Sequence, residues 1–106
     1  MFSTILQTLT DQGNSIHAYR AVARLAYEKA GEPSDHAAAF FVLGTIAEAF
    51  VERHERMPLL SKETEQSFAA FKEDIAALSA AYETGDPAGI LAALNTVASS
   101  HAAVLI

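Results

Sequence analysis

Two histidines and one glutamate lie at positions where a helical protein could bring them together around a metal ion. Each of the three lies three or four residues from an apolar side chain, so all of them are expected on the inward faces of their helices. Imidazole and carboxylate groups are ordinary ligands of zinc and iron. The pattern therefore predicts a divalent metal site, zinc or iron, formed by His54, His101 and Glu65, with Glu52 and Glu55 as further candidates. The alternative is that these residues are half-exposed polar groups at helix ends, where the apolar seam opens to water.

His17 lies beside the apolar face of the first predicted helix and is expected to be exposed. Residues 17–21, His-Ala-Tyr-Arg-Ala, resemble the His-x-x-Lys-Gly stretch of histidine phosphotransfer domains, which are acidic four-helix bundles. The resemblance covers this stretch alone and departs from the family pattern at Val22. It implies phosphorylation of His17, with Arg20 and Arg24 beside the phosphate. An ordinary surface histidine is the other interpretation.

The sequence offers little for enzyme catalysis. It has no cysteine and no Gly-x-Ser-x-Gly turn, and its five glycines are isolated, so neither a thiol nucleophile nor a phosphate-binding glycine loop is indicated. The adjacent acids Glu73 and Asp74 are expected to face solvent on an amphipathic helix, not to act as a general acid and base. These observations do not indicate an enzyme.

Proline and glycine divide the chain into four predicted helices. They cluster at residues 31–33, at Pro58 and at residues 85–87, and proline cannot continue a helix whereas glycine readily ends one. Gly13 is expected to weaken the first helix without breaking it. The predicted helices run from about Ser3 to Lys29, from Ser34 or Asp35 to about Met57, from Ser61 to the third break, and from Asp86 as N-cap to the last residues. Short connections favour a single all-α domain over residues 1–106, an up-and-down antiparallel four-helix bundle.

Apolar residues recur every three or four positions in each predicted helix, which indicates the buried face. The third helix has the clearest pattern. Phe68, Phe71, Ile75 and Leu78 on its apolar face are expected to be almost wholly buried. The predicted core comprises Phe2, Ile5, Leu9, Ile16, Tyr19, Ala23, Ala26, His36, Phe40, Leu43, Ala47, Phe50, His54, Phe68, Phe71, Ile75, Leu78, Tyr82, Ile90, Leu94, Val97, His101 and Val104 or Leu105.

The first two predicted helices carry more apolar surface than a monomeric bundle requires. Between residues 37 and 51, Glu48 is the one strongly polar side chain. A helix that is apolar nearly all round must be covered by other parts of the protein on all sides. The surplus favours a homodimer with Val22, Leu25, Phe41 and Val51 at its interface. Tolerance of alanine on helix surfaces is the alternative, since alanine is the best helix former.

Charge and hydropathy narrow the possible partners. The formal net charge is −6, and the seven basic residues are scattered, so the basic stripe that nucleic acids or anionic membranes require is absent. The N-terminal residues lack a secretory pattern, which favours the cytoplasm. The sequence therefore predicts a small helical interaction or regulatory module that works through homodimerisation and protein association. A metal- or small-ligand-binding bundle is the alternative function.

Overall fold

The computed structural model describes residues 2–55 and 60–105, and it is all-helical, with five helices and no strand in these ranges. The helices are α1 (Ser3–Asp11), α2 (Ile16–Ala30), α3 (Ala37–His54), α4 (Ser61–Thr84) and α5 (Pro87–Leu105). The prediction of an all-α chain is confirmed. The prediction of one continuous first helix is wrong, since α1 and α2 replace it. The predicted break at Pro58 lies outside the described residues.

The break between α1 and α2 is enforced by two consecutive residues with left-handed backbone. Gly13 has φ +69° and Asn14 has φ +57°, which a right-handed helix does not accommodate. The Asn14 amide donates to the carbonyl of Leu9 at 3.0 Å, which closes α1. The Ser15 hydroxyl then accepts from the Ala18 amide at 3.1 Å, so a new helix begins with its own N-cap.

The starts of the later helices follow the predicted boundaries closely. Asp86 caps α5, because its carboxylate accepts from the amides of Ala88 and Gly89, each at 3.3 Å. The exception is α3, which begins at Ala37 instead of at Ser34 or Asp35. There the Ser34 hydroxyl accepts from the His36 amide at 3.1 Å and forms a turn.

Aromatic contacts show that consecutive long helices run in opposite directions. Tyr19, near the start of α2, stacks on Phe50, near the end of α3, with ring centroids 3.8 Å apart. At the other end of α3, the Tyr82 hydroxyl from the last turn of α4 donates to the carbonyl of Asp35 at 3.1 Å. Phe2 packs edge-on against Phe40 and Tyr82 and closes that end of the core. One core therefore joins all these helices.

Most of the predicted core residues are buried, including Phe71 on α4 at 2% exposure. The half-buried ones are Ile16, His36, Phe68, Tyr82, Ile90, Leu94 and His101, and the side chains of Val104 and Leu105 lie outside the described part of the chain. Phe68 is half-buried, three residues closer to the start of α4, and Lys72 lies over its ring at 5.3 Å from the centroid. The expectation that Phe68 is almost wholly buried is therefore wrong, because α4 covers the core fully only from Phe71 onward.

Candidate functional site

A pocket of about 250 Å³ opens between α3, α4 and α5, with one residue of α2 in its wall; we call it the central pocket. Its walls are mainly aromatic and aliphatic, and its polar groups lie on three of the helices. Such concave apolar sites with a few polar groups are the usual form of small-molecule sites. The lining residues are Tyr19, Thr45, Ile46, Ala49, Phe50, Arg53, Gln66, Ser67, Ala70, Phe71 and His101.

The aromatic wall contains an unpartnered hydroxyl. The Tyr19 ring contacts the rings of both Phe50 and Phe71, with centroid distances of 3.8 Å and 6.1 Å. The Tyr19 hydroxyl is buried and has no hydrogen-bond partner among the described residues. Burial raises the pKa of Tyr19 to about 12, because the apolar surroundings disfavour the phenolate. The wall therefore holds a neutral tyrosine that acts as an apolar ring.

His101 enters the pocket from α5 and is held from behind by α4. Its Nε2 lies 2.7 Å from Oδ2 of Asp74, and the two side chains are 32% and 17% exposed. Because an ionised carboxylate only accepts, Nε2–H donates in this pair and Nδ1 is left as the other ring nitrogen. The expectation that Asp74 faces solvent is wrong. A signal for this was present in the sequence, since Asp74 lies three residues after Phe71 and four before Leu78, both on the core face.

Among the described lining residues of the pocket, Arg53 is the one that carries a formal charge. Its side chain is exposed, and no carboxylate in the described part of the chain lies within 4.0 Å of it. Gln66 and Ser67 add an amide and a hydroxyl from the first half of α4. None of the described lining residues is acidic, although the chain as a whole carries 13 acidic residues. The polar side of the pocket is therefore positive and rich in donors.

The predicted metal ligands are not brought together. His54 is buried against the Phe50 ring, and its Nδ1 lies 3.8 Å from Oε2 of Glu63. That distance is too long for a hydrogen bond. Glu65 is exposed on α4. Among residues 2–55 and 60–105, no group of three His, Asp or Glu side chains could hold a metal ion.

The reason for this separation is the register between α4 and α5. Asp74 is hydrogen-bonded to His101, whereas the carboxylate within 4.0 Å of His54 is that of Glu63. These two acids are eleven residues apart on α4, which is about 16 Å along the helix axis. His101 lies only 15 residues into α5, whereas α4 continues for 24 residues from the same turn. The two histidines therefore approach α4 at different levels along its axis. The further candidates Glu52 and Glu55 are both exposed.

The predicted interface residues differ in exposure. Val22 is wholly buried and Val51 is 7% exposed, so both belong to the core of a single chain. The inference that they form surplus surface is wrong, because the α2 core face is centred on residues 18, 19, 22 and 26 once α1 separates from it. Leu25 is half-buried against the same core. Phe41 is 58% exposed beside the Tyr27 ring.

His17, Arg20 and Arg24 are all exposed on α2. Their exposure agrees with both interpretations of His17, the phosphorylated residue and the ordinary surface histidine. No contact of these side chains distinguishes the two.

The outer face of α5 is a feature that the sequence analysis missed. All 20 charged residues precede Pro87, so α5 contains no Asp, Glu, Lys or Arg. Within residues 87–103 Val97 is the one buried side chain, and Leu91 is 59% exposed. We call the exposed residues Leu91, Ala92, Asn95, Ala98, Ser99 and Ala102 the outer face of α5.

None of the helices described here has both the length and the apolar character needed to cross a membrane. Comparison of the chain with protein-family models, with curated proteins and with solved structures found no match. The features of the described chain that bear on its function are the central pocket and the outer face of α5.

Proposed function

We propose that this protein is a small helical association module that works as a homodimer and assembles with other proteins in that form. The observation that carries the proposal is the outer face of α5, a surface without charge on a protein of net charge −6. A helix that is apolar all round is typically covered on all sides, and α5 has no charged residue on any side, although Asn95 and Ser99 are polar.

Charge favours a second copy as the occupant of this surface. Two copies of an acidic protein repel one another wherever their acidic faces meet, and like charges across an interface are costly. The outer face of α5 carries no charge, so two copies can approach there without that repulsion. In a two-fold symmetric dimer the same face serves both subunits.

The size of the helix is adequate for this role. The 19 residues of α5 extend for about 28 Å, and the longest dimension of the molecule is 41 Å. The small side chains Ala98 and Ala102 allow close approach of a partner helix, and Leu91 supplies a larger apolar contact. Phe41 is the residue of the sequence-predicted interface that keeps a large exposed apolar surface.

Light scattering on the purified chain at micromolar concentration tests the proposal. We expect twice the chain mass of 11.3 kDa for the wild type and the monomer mass for Ala98→Glu, because that substitution sets two carboxylates against one another. Ala76→Glu is the matched control, since Ala76 is exposed on α4. A wild-type monomer, or equal behaviour of the two variants, would contradict the proposal.

A further inference from the structure

We infer that the central pocket binds a small organic anion with an apolar body about the size of one ring, such as an aromatic monocarboxylate. This inference goes beyond the association function and does not depend on it.

The body of the ligand is indicated by the volume and lining of the pocket. The rings of Tyr19, Phe50 and Phe71, with Ile46 and Ala49, give an apolar surface on two sides. The volume is about 250 Å³, and engineered apolar cavities of about 150 Å³ bind benzene. A single ring with a short substituent therefore fits, whereas a multi-ring cofactor does not.

The charge of the ligand is indicated by what the polar side of the pocket contains. Arg53 presents a guanidinium, which pairs with carboxylates through two parallel hydrogen bonds. Gln66 and Ser67 can donate from α4, and none of the described lining residues is acidic. A pocket lined by a cation and hydrogen-bond donors, with no carboxylate among its described lining residues, favours an anion over a neutral ligand.

The Asp74–His101 pair has a positioning role in this site. Its 2.7 Å contact joins α4 to α5 and fixes the imidazole that forms the α5 side of the pocket. The negative charge of Asp74 stays behind His101 and outside the lining. His101, and not Asp74, is therefore the member of the pair that lines the pocket.

Two isosteric probes test the inference: phenylacetate and its neutral amide, phenylacetamide. Each is titrated into the ¹⁵N-labelled full chain, and amide shift changes are followed by NMR. We expect changes concentrated in residues 45–53 and 66–71, with phenylacetate binding about tenfold more tightly than the amide. Arg53→Gln should reduce the affinity for phenylacetate to that for the amide. Lys62→Gln also removes one positive charge, from an exposed position on α4 outside the pocket, and should leave the affinity unchanged.

Ala49→Phe fills the pocket and should abolish the binding of both probes, provided that its amide spectrum shows a folded chain. Equal affinities for the two probes would overturn the inference of an anionic ligand. Absence of shift changes around the pocket up to the solubility of both probes would overturn the site itself. Neither result would bear on the dimer, which is measured by light scattering.

Discussion

The carboxylate of Asp74 lies 2.7 Å from Nε2 of His101, and this contact joins the middle of α4 to the last part of α5. The pair is part-buried beside the central pocket, where a charge-assisted hydrogen bond is shielded from water on one side.

The coupling between these two side chains can be measured with a double-mutant cycle. We expect Asp74→Asn and His101→Gln each to lower the free energy of unfolding, and the two changes together to cost less than their sum. The coupling should be about 1 kcal/mol for a partly exposed charged hydrogen bond. Urea unfolding of the four proteins gives this value. Additive effects would mean that the pair contributes no net stability.

Tyr19→Phe should leave the protein as stable as the wild type or stabilise it at neutral pH. The substitution removes a buried hydroxyl that has no partner among the described residues and keeps the stacking with Phe50. The expected gain is about 0–2 kcal/mol, because an unpartnered buried hydroxyl is costly. Thermal unfolding at pH 7 measures it. A loss above that range would show that the hydroxyl has a partner in solution.

Tyr19 also predicts an alkaline loss of stability. Its pKa is raised from 10.0 to about 12 in the folded chain, so the unfolded chain releases this proton first as the pH rises. The stabilisation of the folded chain that comes from protonated Tyr19 is fully present below pH 10. It is lost as the pH rises from 10 to 12, which lowers the free energy of unfolding by up to about 2–3 kcal/mol. Unfolding at pH 9 and pH 11 should show a smaller difference in Tyr19→Phe than in the wild type. If the wild type and Tyr19→Phe lose the same stability between pH 9 and pH 11, Tyr19 is not the source of the alkaline loss.

Gly44→Ala should destabilise the protein although alanine is the better helix former. A Cβ at Gly44 would lie 2.9 Å from Cε1 of Tyr27 and 3.3 Å from Cβ of Ala26, where α2 and α3 approach closely. We expect a net loss of about 1–2 kcal/mol, since overpacking outweighs the gain of about 1 kcal/mol in helix propensity. In a Tyr27→Ala background the same substitution should instead stabilise. If Gly44→Ala stabilises the protein in both backgrounds, α2 and α3 can move apart to admit the Cβ without losing stability.

Phe71→Ala and Phe68→Ala should differ in their effects although the two residues share one face of α4. Phe71 is 2% exposed, so its truncation should cost about 3–5 kcal/mol. Phe68 is half-buried, and its truncation should cost clearly less. Urea unfolding of both variants measures the difference. Equal costs would show that the first turns of α4 pack more tightly than described here.

The helices and their buried faces could be predicted because both depend on local spacing. The step of 3.6 residues per turn places Phe40, Leu43, Ala47 and Phe50 on one side of α3 wherever that helix lies in the molecule. The cap at Asp86 follows from the residue types in a single turn. The full break at Gly13 does not follow from local spacing, because the left-handed conformation of Asn14 next to it is not apparent from residue type alone.

The candidate site could be predicted only in part. The sequence pattern predicts a chemical role for His101 but groups it with His54 and Glu65, whereas in the structure His101 contacts Asp74. The choice between these two acids depends on the length of α4 beyond its turn and on the tilt of α5 against it. Neither quantity is expressed in the spacing of apolar residues within one helix.

The sequence by itself determined that the chain is helical, which faces are apolar, and that its last 20 residues carry no charged side chain. Only the tertiary structure decided that Val22 and Val51 are internal, that His54 and His101 pair with different acids, and that Arg53 lines a pocket with three aromatic rings. The physical reason is that periodicity orients a side chain about its own helix axis. The register and tilt between helices are set by the summed packing of the whole core.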